Sequence, residues 1–86
     1  KMEVREGRSS EVLLNIKGNY VREGRGSKVL LNIKDNEIRR GRSSDVVINL
    51  ENNEIREGRS SNILYNTTDK LNKIQLAVVL FVLSLI

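Results

Sequence analysis

Eight arginines recur in one spacing, Arg-x-Gly-Arg, four times along the chain: Arg5 and Arg8, Arg22 and Arg25, Arg39 and Arg42, Arg56 and Arg59. A guanidinium is a planar fork of donors suited to phosphate, sulfate or carboxylate. Glycine between two of them lets backbone N–H groups join an anion nest. Brought to equivalent positions, the arginines form two rows of four, and an anion or polyanion is the ligand such rows would take. A competing reading needs no ligand. Glu3, Glu37 and Glu54 lie two positions before the first row, and residues i and i+2 share a strand face, so solvated ion-pair ladders account for the same pattern. Glu6, Glu23 and Glu57 sit beside these arginines as well, and Arg40 replaces the glutamate in the third copy.

Other chemistry finds little support. The 86 residues include no cysteine and no histidine, which removes thiol chemistry, disulfides, the commonest general base and the commonest metal ligand together. Ser9, Ser10 and their counterparts have no activating base, and the carboxylates are dispersed along the chain rather than paired. No enzyme activity, metal or cofactor is expected. Asn66-Thr67-Thr68 fits a glycosylation acceptor, but such triplets are common and mean little without a secretory route, and Arg39-Arg40-Gly41-Arg42-Ser43 fits a basic kinase site that the repeat already explains. With Tyr20, Tyr65 and Phe81 as the only aromatics, no base-stacking platform for single-stranded nucleic acid can be built. The net charge of +4 is a mild positive balance, compatible with a polyanion but far from diagnostic. Met2 directly ahead of the first unit reads as a start with no secretory leader before it, so the expectation is a cytoplasmic protein.

The elements that must position the arginines follow from the period. Residues 3–19, 20–36, 37–53 and 54–70 align without insertion as four 17-residue units, the first two agreeing at 13 of 17 positions. Each has a short extended piece at Val4, Val21, Ile38 or Ile55 that runs into a glycine. Each also has a longer aliphatic piece, at residues 12–16, 29–33, 46–50 and 63–67, followed by a turn cluster such as Lys17-Gly18-Asn19 or Glu51-Asn52-Asn53. The recurring glycine answers a backbone need at a turn or bulge. Strand alternation puts Val12, Leu14 and Ile16 on a core face. The other face receives Leu13, Leu30, Val47 and Leu64, with Asn15, Asn32, Asn49 and Asn66 beside them. That second apolar row asks for a cover.

Residues 71–86 are the candidate cover. From Ile74 to Ile86 only Gln75 and Ser84 are polar, and a helix of that length spans about 20 Å, too short to cross a bilayer. Asp69 is positioned to cap it. Because the segment is apolar all round, it is expected to be enclosed by the repeats, with self-association through its outer side or contact with a membrane as the alternatives.

The whole chain, residues 1–86, is therefore expected to be one mainly β domain: four β repeats and one apolar C-terminal helix. The units are hairpins closed into a pseudo-fourfold ring, with a short β-solenoid as the alternative. The recurrent Ile/Val-Arg-x-Gly-x-Ser units followed by a short apolar tail resemble the small bacterial β-flower repeat proteins of fourfold and fivefold type. The resemblance covers the whole chain. It implies hairpins arrayed about an axis with the C-terminal segment packed against them, and it carries no activity with it. The functional expectation is a non-enzymatic structural or protein-interaction module; the alternatives are an anion-binding module using the arginine rows and, third, membrane attachment through the tail.

Overall fold

Eight strands alternate short and long along the chain: β1 Met2–Arg5, β2 Val12–Lys17, β3 Tyr20–Glu23, β4 Val29–Lys34, β5 Glu37–Arg40, β6 Val46–Glu51, β7 Glu54–Glu57 and β8 Ile63–Asn66. One helix, α1, follows at Lys73–Val82. The computed structural model describes residues 2–82 and 84. Aliphatic and β-branched residues make the strands, and two kinds of connection reverse the chain between them. Long strands return through two-residue turns, where Gly18, Asp35 and the pair Asn52 and Asn53 take positive φ, the conformation tight hairpins require. Short strands return through the Gly-Arg-Ser loops. There Gly7, Gly24, Gly41 and Gly58 sit at φ between 52° and 56°, which meets the backbone need inferred from their recurrence.

The strands form one antiparallel sheet in chain order, β1 to β8, each paired with its neighbours. Wherever a short strand meets the next long one the register slips, as between Val4 and Arg5 or between Val21 and Arg22. Val12 and Leu13 together oppose Arg5, and the same bulge recurs opposite Arg22, Arg39 and Arg56. A bulge of this kind bends the strand and re-aims its side chains. It explains why Val12, Val29 and Val46 are only half-buried rather than core residues.

The described strands are hairpins, as expected, but the sheet is open. It does not close into a ring, since β1 and β8 each have a single neighbour. It is no solenoid either, because stacked coils would pair like strands in parallel and every pairing here is antiparallel. Seven interstrand spacings make a sheet about 34 Å wide, close to the 38 Å longest dimension of the molecule.

The core lies on one face. Leu14, Ile16, Val21, Leu31, Ile33, Ile38, Ile48 and Ile55 are buried there together with Leu76, Ala77 and Leu80 of α1. The helix thus covers the face of Leu14 and Ile16, and the row expected to receive it stays partly open. Leu13 is 36% and Leu64 42% exposed, while Leu30 and Val47 are half-buried at the margin of the core. The reason lies in the short strands. Val21, Ile38 and Ile55 add aliphatic groups to the Leu14 face, whereas Arg22, Arg39 and Arg56 fall on the other. The helix is also shorter than residues 71–86, of which 83, 85 and 86 lie outside the described residues. It is capped by Asn72, not Asp69. The Gln75 amide donates to Asn72 Oδ1 at 2.8 Å and the Asn72 amide donates back to Gln75 Oε1 at 3.2 Å, a reciprocal capping box. Val79, on its outer side, is exposed, so the helix is enclosed on one side only.

Candidate functional site: the arginine face of the sheet

The face opposite the helix is built from alternating rows. Asn15, Asn32 and Asn49 of the long strands stand directly across from Arg22, Arg39 and Arg56 of the short ones. The asparagines carry the most regular hydrogen bonds in the molecule. Asn15 Nδ2 donates to the carbonyls of Gly24 and Gly26 at 2.8 and 3.0 Å. Asn32 does the same to Gly41 and Ser43 at 2.7 and 2.9 Å, and Asn49 to Gly58 and Ser60 at 2.7 and 3.1 Å. Each amide thus clamps the loop of the following unit onto the preceding strand. Asn15 and Asn49 are buried in doing so, and a buried amide holding two carbonyls that would otherwise lack donors is a structural group.

Of the first arginine row, Arg5, Arg39 and Arg56 take the glutamate two positions earlier. Arg5 Nη2 lies 2.9 Å from Glu3 Oε1, Arg39 Nη2 2.6 Å from Glu37 Oε1, and Arg56 Nη2 2.7 Å from Glu54 Oε1. Arg56 also reaches Glu51 Oε2 at 3.0 Å. The hydrogen bond from Arg39 is the main cause holding the Glu37 carboxyl below its usual range, partial burial opposing it, with the charges of Arg39 and Arg59 assisting. The bond to Glu54 raises the Arg56 guanidinium in the same manner, against the opposing effect of burial. Arg22 is the exception. Tyr20 stands where the other units have glutamate, and Arg22 makes no ion pair among the described residues. Its Nε is buried without a partner, as is that of Arg56.

The second row works across units. Arg25 Nη2 donates to the Ser10 carbonyl at 3.4 Å and Arg59 Nη2 to the Ser44 carbonyl at 3.3 Å. Arg59 Nε lies 3.4 Å from Glu37 Oε2, and Arg42 lies over the Tyr20 ring, 5.1 Å from its centre, a cation–π contact. Arg8, in the first loop, has no partner among the described residues. The structure therefore brings each row onto one side, as the period requires, but spends most of its members on internal contacts.

Around Arg22 the pattern opens. A groove of about 550 Å³ runs between the first two hairpins, lined among others by Lys17, Tyr20, Arg22, Asn32 and Lys34, with no carboxylate in its wall. Moved on by one unit, the same positions hold Lys34, Glu37, Arg39 and Glu51, and by two units Glu51, Glu54 and Arg56. Lys17 and Lys34 were not singled out from sequence. The signal for them was the change from glutamate to Tyr20 at one position of the period.

A 6-fold beta flower protein profile matches residues 1–79 of the chain. The chain belongs to the β-flower family. The family it matches is described as sixfold, where the repeat style suggested the fourfold and fivefold kinds, and membership fits a small structural module. No curated protein and no solved structure matches this β-flower chain. Among the described residues, no helix is long and apolar enough to cross a membrane.

Proposed function

We propose that this β-flower chain is a non-enzymatic structural module that engages protein through the open edges of its sheet. The observation that carries the reading is β8. Ile63, Leu64 and Tyr65 are 48%, 42% and 45% exposed, and the strand's outer side has no neighbour. An unpaired edge of this kind is a ready template for a further strand. Most of the arginine face is committed to holding successive units together, which favours a scaffold over a ligand site. Amide hydrogen exchange tests the reading. The outward amides of Leu64 and Asn66 are expected to exchange freely in dilute chain and to slow as concentration rises, the slowing being lost in a Leu64→Lys/Tyr65→Lys variant. Exchange that stays fast throughout, or slows equally in the variant, contradicts it.

Anion binding is the second reading, and the groove at Arg22 favours it. Lys17, Arg22 and Lys34, three cations without a carboxylate partner among the described residues, line one open groove. Inorganic sulfate or phosphate, titrated while following the resonances of Lys17, Arg22 and Lys34, is expected to shift all three, with affinity falling as salt rises. Arg22→Gln abolishes the response and Arg56→Gln leaves it. An affinity indifferent to salt, or none, rules the anion out.

A further inference from the structure

We infer that copies of this chain join head to tail, β8 of one receiving β1 of the next, in the register that already joins its own units. The inference rests on the edge reading above and names the partner.

The argument is one of unfilled bonds. Three kinds of contact recur three times each between one unit and the next. The asparagine amide donates to two loop carbonyls, nine and eleven residues on. The loop glycine amide donates to the long strand eleven residues back, Gly24 to Leu13, Gly41 to Leu30 and Gly58 to Val47, at 2.8 to 2.9 Å. The long strand then pairs with the short strand across a tight turn. At the last unit the first halves stand ready without their complements. Asn66 Nδ2 and the Leu64 carbonyl have no partner among the described residues, and β8 has no neighbour beyond it. At the first unit the other halves, the Gly7 amide, the Gly7 and Ser9 carbonyls and the outer side of β1, have no partner among the described residues.

Continuing the period across two copies fits these halves together. Tyr65 then stands opposite Glu6, Asn66 opposite Arg5 and Thr67 opposite Val4, as Leu14, Asn15 and Ile16 stand opposite Glu23, Arg22 and Val21 within the chain. Asn66 Nδ2 donates to the Gly7 and Ser9 carbonyls, and the Gly7 amide donates to Leu64. Arg8, the unpartnered arginine, arrives where Arg25 and Arg59 lie in their units, against the Ser61 carbonyl. Glu54 meets it with Oε2, the oxygen that Arg56 does not use, as Glu37 meets Arg59. Backbone, side-chain amide and charge all match in this single register. A copy-to-copy contact between unlike edges propagates into rings or filaments rather than stopping at a symmetric dimer.

Register-specific crosslinking tests this directly, since the chain has no cysteine of its own. Glu6 and Tyr65 are exposed and neither side chain makes a hydrogen bond or ion pair among the described residues, so Glu6→Cys and Tyr65→Cys each fold, which circular dichroism checks. The two positions meet as a close, non-hydrogen-bonded pair about 4.5 Å apart between Cα atoms, within disulfide reach. Under mild oxidation the mixture of the two variants is expected to give a crosslinked dimer that neither gives alone. The double variant is expected to give a ladder of higher species. A dimer from Tyr65→Cys alone, meaning β8 against β8, overturns the head-to-tail inference and leaves the edge reading standing. No crosslink in the mixture, although the Leu64 and Asn66 amides slow with concentration, also overturns the inference alone. No crosslink and no slowing overturn both.

Discussion

Asn49 and Asn66 occupy the same place in successive units and lead opposite lives. Asn49 is buried and holds the carbonyls of Gly58 and Ser60; Asn66 is exposed at the end of the sheet and holds nothing among the described residues. The flanking strands differ likewise. β6 runs six residues with a buried centre, whereas β8 runs four residues, all exposed. The first four positions of each segment share three apolar residues followed by Asn, Val46–Asn49 and Ile63–Asn66, so the exposure of β8 over those positions follows the missing neighbour. A strand in this sheet is as stable as the unit that follows it allows, as in other repeat arrays.

The largest effect that would break this contrast concerns the core. Leu14→Ala is expected to lose about 2–5 kcal/mol in urea unfolding, whereas Tyr65→Ala on the open edge loses about 1 kcal/mol or less. Equal losses would mean that β8 is packed as the interior is. Next comes the clamp itself. Asn49→Ala strips donors from two loop carbonyls and is expected to lose about 1–3 kcal/mol. Asn66→Ala in dilute chain stays within about 0.5 kcal/mol of wild type. The loops offer a gain. Ser9, Ser43 and Ser60 each donate from Oγ to the carbonyl three residues back and accept an amide two residues on. Gly26 stands at that place in the second unit, at an ordinary φ and with room for a Cβ 3.5 Å from the Glu23 carbonyl. Gly26→Ser is expected to add about 0.5–1 kcal/mol.

The smallest effect is electrostatic. Because the folded Glu37 carboxyl is held below its ordinary value, its contribution is complete above the ordinary glutamate range and disappears as pH falls through the lowered folded value. Glu37→Gln is expected to flatten the acid limb of a stability–pH curve in that window and to leave the alkaline side unchanged.

Much of this was legible in the sequence because a period multiplies weak signals. Four glycines at one spacing revealed a backbone requirement, and Glu37 before Arg39 or Glu54 before Arg56 revealed ion pairs across one strand position. The landing of the helix was less legible. Alternation within the long strands pointed to the Leu13 row as its bed, and only the pairing that carries Val21 and Ile38 to the Leu14 side shows why the helix lands there instead. The asparagine row was visible but its task was not. A side chain that reaches nine and eleven residues ahead does so across a tight turn into the loop beyond the next strand, and no local pattern records where that loop's carbonyls point. Closure was hidden for a further reason. Whether hairpins meet in a ring depends on accumulated twist along the sheet, not on any residue type.

The most direct measurement is the NMR signal of the four side-chain amides Asn15, Asn32, Asn49 and Asn66. In dilute chain the first three are expected to be shifted and slow to exchange with water, with Asn66 solvent-like. As concentration rises, Asn66 is expected to move to join them. Four equivalent signals at high dilution, or an Asn66 signal that stays solvent-like while the chain assembles, would contradict the account.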